Sequence, residues 1–501
     1  MKQTKFLIAA AVLAMVAGGS AFAQFRTDTT AAPVGDTSKV VLTLEQALEI
    51  ALNENVAVKV ADKEIERAQY ARKGTYASLF PSIDLTGSYQ RTIKKQVMYM
   101  DFDMSDMMPG GGEGEGADAG AGTGADAGAS KPSGGGIEVG RWNTFNGGLT
   151  ASMPLVNAQL WKSIAITGDA VELAVEQARA SRLEMVSQVK NAYYGVLLAK
   201  EVFNVYKDVY ENAVENFGQT EKKYRVNKAS ELEYIRAKAN VANAIPNVYN
   251  AESQVILALW QLKAVMGVDL DLNIDVEGSL GDYPVMMMRD LVMGGGADLD
   301  NNTTMRQLAI QAEQLAKTVQ MQKYAYLPTL GAQFSFSMYA MTNDFNFSEF
   351  KWTPYSFVGV SLSIPIFSGG KRYNDVRQAK VQKTELELQR LNTERQLKIS
   401  IRQSLTTMET NMKSYYAADE AVQMAQKAYD ISAKSYNVGK STLTDLNDAQ
   451  LALTQAQLQK NQAVYNYLVA KTGLEQTLGY DFLDEEGRPD LQGGFAQTNG
   501  K

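Results

Sequence analysis

YRVNKASELEYIRA, residues 224–237, returns 212 residues later as YNVGKSTLTDLNDA, residues 436–449, with Tyr224 and Tyr436, Val226 and Val438, Lys228 and Lys440, and Ala237 and Ala449 in step. Each copy reads as a turn between two helices. Asn227 and Gly439 take the same place, and these residue types most readily close a helix in the left-handed conformation. Ser230 and Thr442 then read as N-caps, with Glu233 and Asp445 at the third helical position of a capping box. Working outward, GLTASMPLVN at 148–157 is answered by GVSLSIPIFS at 359–368, and SLFPSIDL at 78–85 by YLPTLGAQF at 326–334. A duplication of this length predicts two copies of one unit, each running helix, strand pair, long helix, return helix.

The helices follow from spacing. A first one is expected over Leu42–Ser78, with Thr43 as N-cap and Gln46 completing the box, and its counterpart runs from Thr303 to just before Pro328. From Ala158 to Tyr224 there is no proline, and Val186, Val189, Tyr193, Val196, Phe203, Tyr206, Tyr210, Ala213 and Phe217 recur at heptad-like steps that favour packing against a neighbouring helix. Such a helix is about 100 Å long at 1.5 Å per residue. Its counterpart covers about Arg372–Tyr436, and return helices are expected over 231–266 and 442–478, with Pro246 kinking or breaking the first. Residues 267–299 form a connector between a first repeat at 24–266 and a second at 300–478, and 479–501 are a C-terminal tail.

Strands are expected over 83–98, 142–155, 330–340 and 352–366, each with one apolar face and one small, polar face. That alternation suits a strand between lipid and a wet lumen, and equally a sheet packed on a soluble core. Trp142 and Trp352 stand at matching strand ends, where an aromatic girdle would lie. Four strands cannot close around an open lumen, so a membrane-spanning reading requires oligomerisation. Pro81 and Pro328 sit at the entries to the strand pairs, and Pro154 and Pro365 at their exits. The acidic, glycine-rich stretch 101–136 between the first two strands cannot bury a core and is expected to be disordered, as a cell-exterior loop.

Lys2, Lys5, the apolar run Phe6–Val16 and the small residues before Gln24 read as a signal peptide, 1–23. With no Cys and no His, the chain has no thiol or imidazole for catalysis, metal binding or a lipid-bearing N-terminal cysteine, and a net charge of −7 argues against nucleic acid. No enzyme, cofactor or metal is expected. At the second turn, Asp448 falls one helical step beyond Asp445, where the first copy has Arg236. Asp445 is a cap in any case; in a three-fold assembly Asp445 and Asp448 would also form an acidic ring able to select cations at a constriction. Arg236, Lys228 or Lys440 would supply salt links that hold the tip shut. Leu443 and Leu446 suit either an adaptor contact or core packing.

The strand-bracketing prolines, PIFSGGKRYNDV at 365–376 and YNVGKSTLTDLNDAQ at 436–450 resemble the TolC-like outer membrane efflux family over nearly the whole mature chain. The resemblance implies a homotrimer in which each protomer gives four strands to one twelve-stranded transmembrane β-barrel, continuous with a long α-helical periplasmic tunnel. It implies an equatorial domain drawing on the connector and the tail, a periplasmic gate at Asp445 and Asp448, and Tyr436 in the gate's network with Glu233, Arg236 and Lys440. Gly369 and Gly370 mark a barrel-to-helix joint; the matching joint of the first copy, with PLVNAQL, lacks the double glycine. The implied function is the outer-membrane exit duct of a tripartite efflux pump in a Gram-negative bacterium. Its expected partners are a periplasmic adaptor, an RND-type or ABC-type inner-membrane transporter and outer-membrane lipid. The alternatives are a duct for type I protein secretion and a non-pore structural coiled coil of the envelope.

Overall fold

The computed structural model describes residues 39–98, 137–284, 287, 299–345 and 350–480. The expected signal peptide, the acidic insert 101–136 and most of the C-terminal tail lie outside these residues. After a short strand β1 (Val40–Leu42) come helices α1 (Leu44–Glu54) and α2 (Val56–Ala77). The predicted Thr43–Gln46 capping box is present in both directions, at 3.3 and 3.1 Å. One unbroken helix over Leu42–Ser78 is not what forms. Asn55 ends α1 and caps α2, its side chain accepting from the Ala57 amide at 2.7 Å and donating to the Val265 carbonyl at 2.7 Å. A short amide side chain competes with the backbone for such bonds and so favours a break.

Strands β2 (Ser82–Arg91), β5 (Asn143–Val156), β7 (Thr329–Thr342) and β8 (Thr353–Ser363) form one antiparallel sheet in that order. A hairpin of β3 (Gln96–Met98) and β4 (Ile137–Val139) extends beyond it. Pairing fixes the faces: Ile83 lies opposite Ala151, Phe334 and Val358 in turn, while Ser82 lies opposite Ser152, Gln333 and Gly359. One face is therefore apolar and the other mostly small and polar, apart from Tyr339, Met341, Tyr355 and Phe357 on the polar side. Every residue of β2 is exposed, and the outer edges of β2 and β8 pair with nothing among the described residues.

Two strand bounds differ from expectation. The strand expected over 83–98 stops at Arg91, where the Thr92 amide donates to the Trp142 carbonyl at 2.8 Å and the chain turns before resuming at β3. The strand expected to reach Ile366 ends at Ser363, since Pro365 has no amide to donate to a ladder. Instead Arg372 donates to the Pro365 carbonyl at 2.8 Å. Pro154 stays within β5, beside an irregularity in the β5–β7 register.

Helix α3 (Ala158–Arg225, 68 residues) and helix α6 (Lys371–Asn437, 67 residues) dominate the molecule. Each turns back as an antiparallel hairpin, with α4 (Glu231–Met266) and α7 (Leu443–Leu478). The α4 helix runs through Pro246 without a break; Ala242, whose carbonyl the proline leaves unpaired, is exposed, so water can serve it. Helix α3 packs on α7, and α5 (Thr303–Tyr324) packs on both α3 and α6. The main core lies part-way along these helices, around Val189, Tyr193, Leu197, Leu262, Met287 and Tyr467.

At that level β1 pairs in parallel with β6 (Ile274–Val276), and the Tyr193 hydroxyl reaches the carbonyls of both flanks, Leu42 at 3.1 Å and Glu277 at 2.6 Å. The first four residues of the predicted seam, Val186, Val189, Tyr193 and Val196, are all buried there. An ion pair between Lys190 and Glu475, at 3.0 Å and nearly dry, ties α3 to α7. The Arg179 guanidinium holds the carbonyls of Asn301 and Gly479, at 3.2 and 2.9 Å.

Candidate functional site: the paired helix turns

The two repeated turns close the free ends of the hairpins, and they do so alike. Asn227 has φ 57°, the only positive φ of a non-glycine residue among the described residues, and Gly439 has φ 77°. The Lys228 amide reaches back to Lys223 and the Lys440 amide to Ser435, both at 2.8 Å, as a left-handed helix closure requires. Both capping boxes form: Ser230 N donates to Glu233 at 2.9 Å, and Thr442 N donates to Asp445 at 2.9 Å. Asp445 also accepts from the Thr442 hydroxyl at 2.7 Å. The Thr442 amide, and then its hydroxyl, hold the Asp445 carboxyl below the usual carboxylate range, so it stays charged. Asp448 is exposed one step along the helix and has no partner among the described residues.

Tyr436, beside the second turn, is buried. Thr220 spends its proton on the Asn216 carbonyl at 2.8 Å, so the Tyr436 hydroxyl, 2.6 Å away, donates to the Thr220 oxygen. Lys223 donates to the Tyr436 carbonyl at 2.8 Å and lies 4.2 Å from the centre of its ring, a cation–π contact. Burial lowers the Lys223 pKa, with Glu233 pulling the other way. These contacts join the two hairpins. Beneath them Ala237, Tyr436, Leu443 and Leu446 form a small separate core with Phe217, Tyr429 and Ala433. Leu443 and Leu446 thus serve packing and are not free for an adaptor.

The symmetry of sequence breaks down in three dimensions at one pair. Tyr224, the counterpart of Tyr436, is partly exposed and stacks on Tyr234 at 5.0 Å. Arg236, Lys228 and Lys440 are exposed and make no ion pair among the described residues of this single chain. Thr220 and Lys223 are what sequence reading missed. Thr220 continues the apolar seam one step past Phe217, which could have placed it inward; Lys223 carries no such signal, because its partner lies on the other repeat.

The joints at the other end differ between repeats. Helix α3 is capped by Asn157, whose side chain accepts from the Leu160 amide at 3.1 Å. Helix α6 starts after Gly369 and Gly370, with φ 62° and 82°, and lacks a side-chain cap. Arg372 steadies this joint from above the Tyr326 ring, 5.3 Å from its centre. Pro81 and Pro328 directly precede β2 and β7. Trp142 and Trp352 are exposed at the far end of the sheet, and Phe345 and Phe350 pack on Phe145 of its apolar face. Among the described residues no group of acids could hold a metal ion, and no helix is long and apolar enough to cross a membrane.

Known proteins share this plan. The chain matches the model of the outer membrane efflux protein family over residues 47–268 and 297–480. The outer membrane protein TolC of Escherichia coli K12 is 21% identical over 353 residues, 67% of this chain and 70% of TolC. The alkaline protease secretion protein AprF of Pseudomonas aeruginosa is 23% identical over 318 residues, 62% of this chain and 64% of AprF. The CmeC outer membrane channel of Campylobacter jejuni superposes with a TM-score of 0.62 at 19% identity, over 90% of this chain and 87% of CmeC. With the family's pattern running through both repeats, this chain belongs to the outer membrane efflux protein family.

Proposed function

We propose that three copies of the chain close one twelve-stranded barrel in the outer membrane and one helical tunnel below it, forming the exit duct of a tripartite efflux system. The observation that carries this reading is the sheet of four strands with one apolar face and with two edges left open among the described residues. Hydrocarbon does not tolerate unpaired strand edges, so β2 must meet β8 of another copy. Passage is passive; a periplasmic adaptor and an inner-membrane transporter supply coupling and energy. At the tunnel's free end, Asp445 and Asp448 of the three copies line the constriction, and Tyr436 with Lys223 and Thr220 holds the two hairpins together while it is closed. Arg236, Lys440 and Glu233 link neighbouring copies there, a role their position beside the turns supports.

Planar-bilayer recording tests this reading. Purified protein should give small, cation-favouring steps, and Asp445→Asn with Asp448→Asn should erode the preference; a protein that inserts no channel would refute the duct. The likeness to AprF, named for protease secretion, favours a second reading in which the same duct exports polypeptide. The class of inner-membrane transporter that copurifies separates the two.

A further inference from the structure

The loop end of the sheet, farthest from the helices, carries a charge pattern of its own. Arg91 ends β2, Lys94 and Lys95 follow in its turn, Arg141 precedes β5, and Lys351 precedes β8. Cations thus stand at three strand ends of a chain whose net charge is −7. None of the five forms an ion pair among the described residues, and all but Lys95 are exposed. Lys95 lies 4.8 Å from the centre of the Trp142 ring. Arg141 and Lys351 each adjoin an exposed tryptophan, Trp142 or Trp352, and Ile93 beside Lys94 is 94% exposed. Arg91 continues the register of Ile83, Leu85 and Tyr89, so it extends the apolar face.

Apolar strand face, aromatic and isoleucine side chains, then unpaired cations is the order of layers met on leaving a bilayer: hydrocarbon, interface, headgroup charge. We propose that this rim binds the phosphate groups of anionic lipids in the membrane leaflet at the loop end, with Trp142, Trp352 and Ile93 seated at headgroup depth. The inference rests on the reading of the sheet as barrel wall. The cations fix the vertical position of the barrel, and the lipid phosphates supply the ion-pair partners that these cations lack among the described residues, where Asp344, exposed after β7, pairs with none of them.

The test uses the full chain in detergent, with lipid A bearing two phosphates as probe and phosphatidylcholine as control, and bound lipid read by native mass spectrometry. The wild type should retain lipid A and not phosphatidylcholine, and should release it as salt rises. The variant carrying Arg91→Gln, Lys94→Gln, Lys95→Gln, Arg141→Gln and Lys351→Gln should lose at least tenfold of that retention, with its oligomeric mass and bilayer conductance unchanged. If that variant misfolds, Arg141→Gln with Lys351→Gln should still lose at least threefold, the partial loss expected when each cation adds separately. Equal retention by the variants, equal binding of phosphatidylcholine, or lipid A binding that appears only after deletion of residues 101–136 would each overturn the proposal; the last would give the cations to the acidic insert. A wild type that retains lipid A yet forms no channel would instead refute the barrel reading alone.

Discussion

Tyr436 joins the two hairpins through one hydroxyl and one ring face, and both contacts come from α3. Tyr436→Phe keeps the ring over Lys223 but removes the bond to Thr220, costing about 1 kcal/mol, the usual net worth of such a bond. Single-channel records should show longer openings, and Lys223→Met should act in the same direction. Asp445 gives a pH dependence whose sign follows from its lowered pKa: its capping bonds contribute above the ordinary value of 3.8 and are lost as pH falls through the lower folded value. The melting temperature of Asp445→Ala should therefore lie below that of the wild type at neutral pH, and the difference should shrink in strong acid. At the main core, burial lowers the Lys190 pKa and Glu475 opposes the shift. Glu475→Gln takes away the carboxylate partner of a buried ammonium, and thermal melting should report a loss of about 3–5 kcal/mol.

Local chemistry decides the ends of the elements, which is why they were legible. The capping boxes at Thr43, Ser230 and Thr442 and the left-handed closures at Asn227 and Gly439 depend on residues a few positions apart, and all five sit where the sequence placed them. A Cβ at Gly439 would meet no atom within 4 Å, so Gly439→Ala tests backbone strain alone. It should cost about 1–2 kcal/mol in thermal melting, and Gly439→Asn less. Gly479→Ala is harsher, since a Cβ there would strike the Asn301 carbonyl, and that variant should fail to assemble. What could not be read depends on distant partners or on competition. The break at Asn55 is supported by the Val265 carbonyl, 210 residues away. Lys223 and Tyr436 are joined only because α3 and α6 of different repeats meet at the same tip.

On the scale of the whole molecule, the duplicated plan gives two hairpins of comparable length and two strand pairs, and among the described residues the sheet they form is unfinished at both edges. Its apolar face is too exposed for a lone soluble chain: Ile83, Leu85, Val358, Val360 and Leu362 are each more than 60% exposed. Closure by other copies and immersion in lipid answer both facts at once. The absence of native cysteine makes the closure directly measurable. With Leu85→Cys on β2 and Val360→Cys on β8 in one chain, a short bismaleimide applied to outer membranes should link β2 of each copy to β8 of the next. The account predicts a covalent ladder that ends at three chains; products confined to single chains, or continuing past three, would contradict it.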